Sequence, residues 1–281
     1  MPSANKRRIG PLTPHLFVPD AARPVRVKLH WLRTDVEVVP HAHAWAQVGF
    51  STTGVTRLTV PGGSYIVPPL RAVWVPPGME HAVTVLEDAD LRSIYIHQPP
   101  GRCGPGVPRG EEAAWRQCRV LEVSDLLRAL VLQMDLRPDG DGAPLDAQTL
   151  QRERRLGVLV LDELRRAQPV SLGVDLPQDK RLRALCEAIL REPTRHATLE
   201  GWARDAGASA RTVARLFRDE LGTSFARWRE RVLLAKAVSL ASKKRPMSHI
   251  AAELGYSSPS AFSAMVRRSV GMPPSRFLGK V

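Results

Sequence analysis

Between Val25 and Gln98, apolar and β-branched residues come in short runs broken by Pro and Gly. The runs are Val25–Leu32, Ala46–Ser51, Val55–Val60, Ser64–Val67, Ala72–Val75 and Leu91–His97; the breaks include Pro61-Gly62-Gly63, Pro68-Pro69 and Pro76-Pro77-Gly78. Short strands at this spacing predict a sandwich or small barrel. From Val120 the period changes. Val123, Leu126, Leu127, Leu130, Val131 and Met134 recur at helical spacing. A second helix is expected over about Leu145–Ala167, with Leu150, Leu161 and Leu164 on one side and many arginines on another. Residues 1–24 read as an irregular lead-in, 99–110 as a Pro/Gly-rich break, Pro138–Pro144 as a loop and Val170–Pro177 as a linker. Beyond it the pattern is helical throughout.

A short pattern occurs twice in that helical region, with its copies 48 residues apart. The first is Trp202-Ala203-Arg204-Asp205-Ala206-Gly207, then Ala208-Ser209 and an apolar run through Val213, Leu216 and Phe217. The second is Ile250-Ala251-Ala252-Glu253-Leu254-Gly255, then Tyr256-Ser257-Ser258 and a run through Phe262 and Val266. A short helix with a small residue, a glycine turn, a serine cap and a second amphipathic helix are the components of a helix-turn-helix. The alanine allows close crossing, the glycine supplies positive φ, and Ser209 and Ser258 cap the second helix of each copy. Phe225, Trp228, Val232, Ala235 and Leu240 predict one long helix between the copies. Trp202, Phe217, Trp228 and Phe262 fall on the apolar period and are expected in the core.

Charge narrows the reading. The chain has 281 residues and a formal net charge of +13. Residues 177–281 hold 20 Lys+Arg against 9 Asp+Glu, whereas residues 1–176 hold 21 against 19. An excess confined to the unit with the repeat points to nucleic acid rather than to a generally basic surface. Cys103, Cys118 and Cys186 are odd in number and widely spaced, which argues against a disulfide framework and for a reducing compartment. No apolar run is long enough for a membrane span, and none follows Lys6-Arg7-Arg8 as a signal peptide requires. The expected location is cytoplasmic, without a membrane partner.

Gly222-Thr223-Ser224-Phe225 closes the first copy, and Gly271-Met272-Pro273-Pro274-Ser275-Arg276-Phe277 closes the second. With the Gly255–Phe262 stretch and the joining helix, these last 105 or so residues resemble the AraC/XylS family of bacterial transcription regulators. The resemblance implies that the second helix of each copy enters the major groove of double-stranded DNA. The groove-facing residues would be Ser209, Ala210, Arg211, Ala214, Arg215 and Arg218 in the first copy. Arg211 and Arg215 are the expected base readers, since arginine pairs bidentately with guanine. In the second copy they would be Ser258, Pro259, Ser260, Ser263 and Ala264. Many relatives carry arginine near the position of Ala264, so this copy is expected mainly to anchor on phosphate, through Arg267 and Arg268.

In the first half, His41-Ala42-His43 is followed by Gln47, and Pro76-Pro77-Gly78-Met79-Glu80-His81 comes downstream. Residues i and i+2 of a strand share a face, so His41 and His43 are expected to point into one cavity, with His81 arriving from a neighbouring strand. The pattern resembles the two motifs of the cupin fold over about residues 25–100. That resemblance implies a metal site of three histidines and a carboxylate, but Gln47 stands where Glu is usual. Two readings follow: a divalent metal (Zn, Fe or Ni) on His41, His43 and His81, or a small-molecule effector contacted by His41, His43, Gln47 and His81. Trp45, Tyr65, Trp74 and Tyr95 are candidates for the cavity wall or for the core.

The expected fold is multidomain: an all-β cupin-like barrel followed by an all-α double helix-turn-helix domain. The expected divisions are lead-in 1–24, sensor 25–110, helical dimerisation region 111–169 and DNA-binding domain 170–281, with modules at 198–222 and 247–271. The function is expected to be sequence-specific transcriptional regulation by a homodimer, which would contact RNA polymerase if it activates. The alternative is a cupin-type metal-dependent dioxygenase or isomerase with an accessory helical domain. Gln47 and the absence of a second acid–base constellation weigh against catalysis.

Overall fold

The computed structural model describes residues 7–61, 63–142, 144–170 and 176–278. The chain divides into two compact units: Met1–Pro61 with Val67–Val170, and Gly62–Ile66 with Ser171–Val281. Most of the expected linker, 171–175, and the first six residues of the expected lead-in lie outside the described residues.

Among the described residues, ten strands precede the α-helices: β1 (Arg7–Ile9), β2 (Val25–Leu32), β3 (Val36–His41), β4 (Ala46–Ser51), β5 (Thr56–Val60), β6 (Gly63–Val67), β7 (Arg71–Val75), β8 (His81–Val85), β9 (Ala89–Ile96) and β10 (Arg119–Glu122). They form two five-stranded sheets, in the orders β1-β3-β8-β5-β6 and β10-β7-β4-β9-β2. Helices α1 (Asp125–Leu132) and α2 (Ala147–Arg166) cover one face of the second sheet.

Alternation along each strand explains the arrangement. Ala46, Val48 and Phe50 of β4 join Val25, Val27, Trp74, Ile94 and Ile96 in one apolar layer against Leu127, Leu130, Val131, Val160 and Leu164 of the helices. Gln47, Gly49 and Ser51 turn to the opposite face, towards the other sheet. Helix α2 comes close to β2 at Gly157, where a Cβ would stand 3.3 Å from Val25 Cγ2.

Two strands depart from the sequence expectation, β1 and β10, and two more, β3 and β8, carry His41 and His81 on strands as expected but lie outside the apolar runs. The lead-in contains β1, parallel to β3, and a 3-10 turn at Pro14–Leu16. The sequence of β3 contains Glu37 and Pro40, so composition hides it. Val120 and Leu121, read as the start of a helix, instead pair with Val73 and Ala72 of β7. The helix begins after Ser124, whose Oγ accepts from Leu127 N at 2.9 Å. A short apolar run is compatible with either element, and the cap decides.

The rest is helical: α3 (Lys180–Arg191), α4 (Leu199–Asp205), α5 (Ala210–Leu221), α6 (Phe225–Ser242), α7 (Met247–Glu253), α8 (Pro259–Val270) and α9 (Pro274–Phe277). The two repeats are the pairs α4–α5 and α7–α8. Gly207 and Gly255 take φ of +62° and +78° at the two turns. Ser209 Oγ accepts from Thr212 N at 3.1 Å, and Ser258 Oγ accepts from Ala261 N at 3.2 Å. Trp202, Phe217, Trp228 and Phe262 are fully buried, as their period requires. Helix α6 buries Val232, Leu233, Leu234, Ala235, Ala237 and Val238, which is the pattern of a helix enclosed by neighbours rather than lying on a surface. Among the described residues, no helix is long and apolar enough to cross a membrane.

Candidate nucleic-acid interface and sensor cavity

Helix α5 has two faces. Val213 and Phe217 are buried, while Arg211, Arg215 and Arg218 are exposed and Ala210 and Ala214 half-buried. The helix has no acidic residue in its first turn, so its N-terminal dipole adds to the arginine charge. Arg215 Nη1 lies 3.5 Å from Asp219 Oδ2, one turn along, an exposed pair that leaves the guanidinium free to exchange partners. Among the described residues no ion pair involves Arg211 or Arg218. Ser209 is exposed, but its hydroxyl is committed to Thr212, with Oγ···Oγ1 at 2.8 Å besides the cap.

Helix α8 repeats the backbone with different side chains. Ser258 caps it, Pro259 occupies its first turn, and Ser260 and Ala264 are exposed. Its cations, Arg267 and Arg268, come in the last turn. Arg268 pairs with Glu230 of α6, and Ser269 Oγ donates to the same carboxylate at 3.3 Å. Sequence spacing does not reveal this clamp, because Glu230 lies 38 residues upstream. Arg267 is exposed, and among the described residues no ion pair involves it.

In the sheets, His41 ends β3 and lies directly opposite His81, the first residue of β8. His43 is not on the strand: β3 ends at His41, after a register shift between Val38 and His41, and His43 stands in the connection to β4. The shared-face argument therefore does not hold for this pair, yet the rings converge. Ring centroids are 4.4 Å apart for His41–His81, 5.1 Å for His43–His81 and 6.1 Å for His41–His43. One ligating atom from each lies within 4.8 Å of the others.

The three rings share one device. The Nδ1 atoms of His41, His43 and His81 each lie 2.9 Å from a backbone carbonyl, of Val39, Trp45 and Met79 respectively. A ring that donates Nδ1–H presents its Nε2 lone pair, which is how outer partners orient metal-ligating imidazoles. His81 Nε2 is buried with no partner, and the Gln47 side-chain amide lies 2.8 Å from His43 Nε2, where the neutral Nδ1–H ring accepts from its NH2 group and a bound cation would instead meet its oxygen. Burial pushes the His81 pKa down to about 4, with the charges of His41 and His43 adding to it. Burial likewise lowers His43, against the opposing bond to Gln47. Both rings are thus favoured as neutral bases, the form that ligates a cation. These donors fit a divalent transition metal held by three imidazoles and one amide oxygen, a neutral set that takes zinc, iron or nickel.

Trp45 stacks on His43 at 5.0 Å, and Tyr95 meets the same ring edge-on at 5.7 Å. Burial pushes the Tyr95 phenol up to about 12, so it stays protonated as a donor. Trp74 belongs elsewhere: it is in the layer under the helices, with Nε1 donating to the Trp115 carbonyl at 2.7 Å. Tyr65 is half-buried.

Comparison with known proteins agrees with both regions. Residues 202–280 match the model of a helix-turn-helix domain, and residues 24–153 match that of an AraC-like ligand binding domain. The chain is 29% identical to the HTH-type transcriptional regulator NimR of Escherichia coli, over 86% of this chain and 82% of that protein. It is 32% identical to the HTH-type transcriptional regulator RipA of Corynebacterium glutamicum, over 36% of this chain and 31% of that one. Among solved structures it is similar to the C-terminal domain of AraT, a response regulator from Geobacillus stearothermophilus, at 25% identity and a TM-score of 0.34 over 36% of this chain and 84% of that one.

Proposed function

Because the chain belongs to the AraC family of transcriptional regulators, with a ligand-binding domain before a helix-turn-helix domain, we propose that it is an effector-controlled promoter-binding protein whose first module reads bases and whose second anchors the backbone. Its relatives are regulators, and it is not an enzyme. The observation that carries the division of labour is the contrast between α5 and α8. Arg211 and Arg215 are exposed towards the N-terminal end of α5, where a recognition helix meets base edges. Ser209, Ala210, Ala214 and Arg218 complete that face. On α8, Ser258 and Ser260 lie at the entry end and Arg267 is the phosphate contact; Arg268 shares its charge with Glu230.

His41, His43, Gln47 and His81 form the sensor cavity. A bound divalent metal would give the effector a Lewis-acidic contact; the rings, fixed by Val39, Trp45 and Met79, orient its ligands. The protein acts as a cytoplasmic homodimer. Leu126, Val158 and Leu159 are 52%, 64% and 48% exposed on α1 and α2, an apolar set that a second copy of these helices covers. A dimer brings together four recognition helices, and an activator of this kind would also contact RNA polymerase.

Fluorescence anisotropy with promoter DNA tests the reading. Arg215→Ala is expected to lose affinity for the promoter but not for random duplex, and His81→Ala to bind the promoter as the wild type does while losing the effector response. Equal loss on both duplexes would overturn the assignment of α5 as base reader.

A further inference from the structure

Three side chains follow one another on the inward face of β2: Arg26, Lys28 and His30. Arg26 has a counter-ion, with Nη1 donating to Asp139 Oδ1 at 2.7 Å and Nη2 to the Arg137 carbonyl at 3.0 Å. Lys28 does not. It is 3% exposed, its Nζ donates to Thr13 Oγ1 at 2.6 Å, and it lies 4.9 Å from the centre of the Phe17 ring. Among the described residues no carboxylate pairs with it. Burial pulls its pKa down to about 8, the direction expected of an ammonium removed from water without a counter-charge.

The surroundings are equally incomplete. His30 gives its hydrogen bond to the Leu12 carbonyl, and its Nε2 is buried with no partner. Thr13, which supplies the hydroxyl to Lys28, has φ +46° and ψ +49°. That left-handed conformation is costly for a β-branched residue, so the contact that satisfies Lys28 is held on strained backbone. Two buried polar atoms and a strained cover converge on one point of β2.

The register ties this point to the sensor cavity. Lys28 pairs with Ser93, and Ser93 with Gly49; the adjacent rung is Arg26, Tyr95 and Gln47. Gln47 and Tyr95 already border the histidines. At Gly49 a Cβ would touch Val73 Cγ1 at 3.7 Å and Gln47 Nε2 at 3.9 Å, so the glycine leaves the rung beside Lys28 without a side chain of its own.

We propose that Lys28 anchors the carboxylate of a small organic acid, whose other end reaches the His41–His43–His81 cavity. The carboxylate takes the place of Thr13 Oγ1 on Nζ and thereby releases Thr13 from its strained conformation. Lys28 on β2 and Gln47 on β4 are one rung apart along the strands, with Tyr95 of β9 between them, so the acid lies across the inward face of three strands. This inference rests on the reading of the sheets as the effector domain.

Thermal shift on the full chain tests it, with benzoate, 4-hydroxybenzoate and hexanoate as probes, 4-hydroxybenzamide as the neutral counterpart and inorganic phosphate as the simple anion. At least one acid is expected to raise Tm while the amide and phosphate do not. Lys28→Met is expected to weaken that acid by ~10-fold or more, and Lys28→Arg to retain part of the binding. Without ligand, Lys28→Met is expected to melt several degrees above the wild type, since it removes a buried unpaired charge. Lys28→Gln replaces it if the methionine variant does not fold. Absence of a shift with all three acids, equal shifts by acid and amide, a shift by phosphate alone, or a Lys28→Met protein that binds acid as the wild type does would each overturn the proposal. A neutral compound whose binding is lost in His81→Ala and unchanged in Lys28→Met would overturn it while leaving the sensor cavity in place.

Discussion

The helical unit and the sheet unit put their candidate functional groups on opposite sides of the packing. On α5 the core residues Val213 and Phe217 face inward, and the arginines proposed to read DNA face solvent. In the sheets Gln47, His81 and Lys28 are 5%, 1% and 3% exposed. An exposed arginine contributes little to folding, so the two helical copies can share one frame and differ freely outside it. A buried amide, imidazole or ammonium is costly unless fully partnered, so the sheet unit gives up stability to hold its site. Changes in the helical unit should therefore separate stability from function, and changes in the sheet unit should not.

The largest expected effect tests whether the two copies have equivalent frames. Phe217 and Phe262 are both 0% exposed, one in each copy. Phe217→Ala and Phe262→Ala should each cost about 3–5 kcal/mol, by loss of transfer energy and creation of a cavity. Urea titration of the two variants checks this. A loss below ~1 kcal/mol in one but not the other would show that the second copy is not packed like the first.

Next comes the surface of those frames. Arg215→Ala should cost about 1–3 kcal/mol of promoter binding with an unchanged urea midpoint. Arg267→Ala should weaken promoter and random DNA alike and lower the salt slope by about one. Loss of folding stability in either variant would contradict the separation of frame from surface.

What was legible in the sequence follows the same contrast. The helical repeat was readable because its determinants are local: Gly207 and Gly255 at the turns, Ser209 and Ser258 at the caps, and aromatic residues on a fixed period. The sensor histidines were also readable as residues, but their geometry was not. His43 reaches the site from a connection and not from the strand, because the register of β3 shifts before His41. The pairing of Val120 and Leu121 with β7, the carbonyls that hold each Nδ1 and the clamp between Arg268 and Glu230 depend on the folded backbone or on partners distant in sequence. No local period encodes them. Lys28 looked like an ordinary strand residue until burial showed that it lacks a carboxylate.

Acid should expose the sheet unit's cost. Burial first, and the charge of Lys28 second, push the His30 pKa down from the ordinary value of 6.5 to about 4. The folded state therefore binds fewer protons than the unfolded chain between those values. Its contribution is complete above pH 6.5 and is lost as pH falls towards 4. At pH 5 the loss from this half-buried ring is on the order of 1–2 kcal/mol, reckoned at ~1.4 kcal/mol for each pH unit crossed and reduced for solvent screening. Denaturation at pH 7 and pH 5 should show a smaller fall for His30→Gln than for the wild type. An equal fall would place the acid sensitivity elsewhere.

The smallest effect is the finest comparison of the two copies. Ser209 and Ser258 each accept one amide bond from the residue three ahead, at 3.1 Å and 3.2 Å. Ser209→Ala and Ser258→Ala should thus each cost ~1 kcal/mol of stability. Their effects on DNA should differ. The cap at Ser209 sets the start of the helix that carries Arg211 and Arg215, and fraying there moves the base-reading arginines. The cap at Ser258 starts a helix whose cations lie in the last turn, far from the frayed end. Ser209→Ala should therefore reduce the ratio of promoter to random-DNA affinity, and Ser258→Ala should leave that ratio unchanged at a similar loss of stability. If both variants kept the ratio, the arginines of α5 would be positioned by the rest of the frame and not by the cap; if both lost it equally, α8 would be reading bases as α5 does.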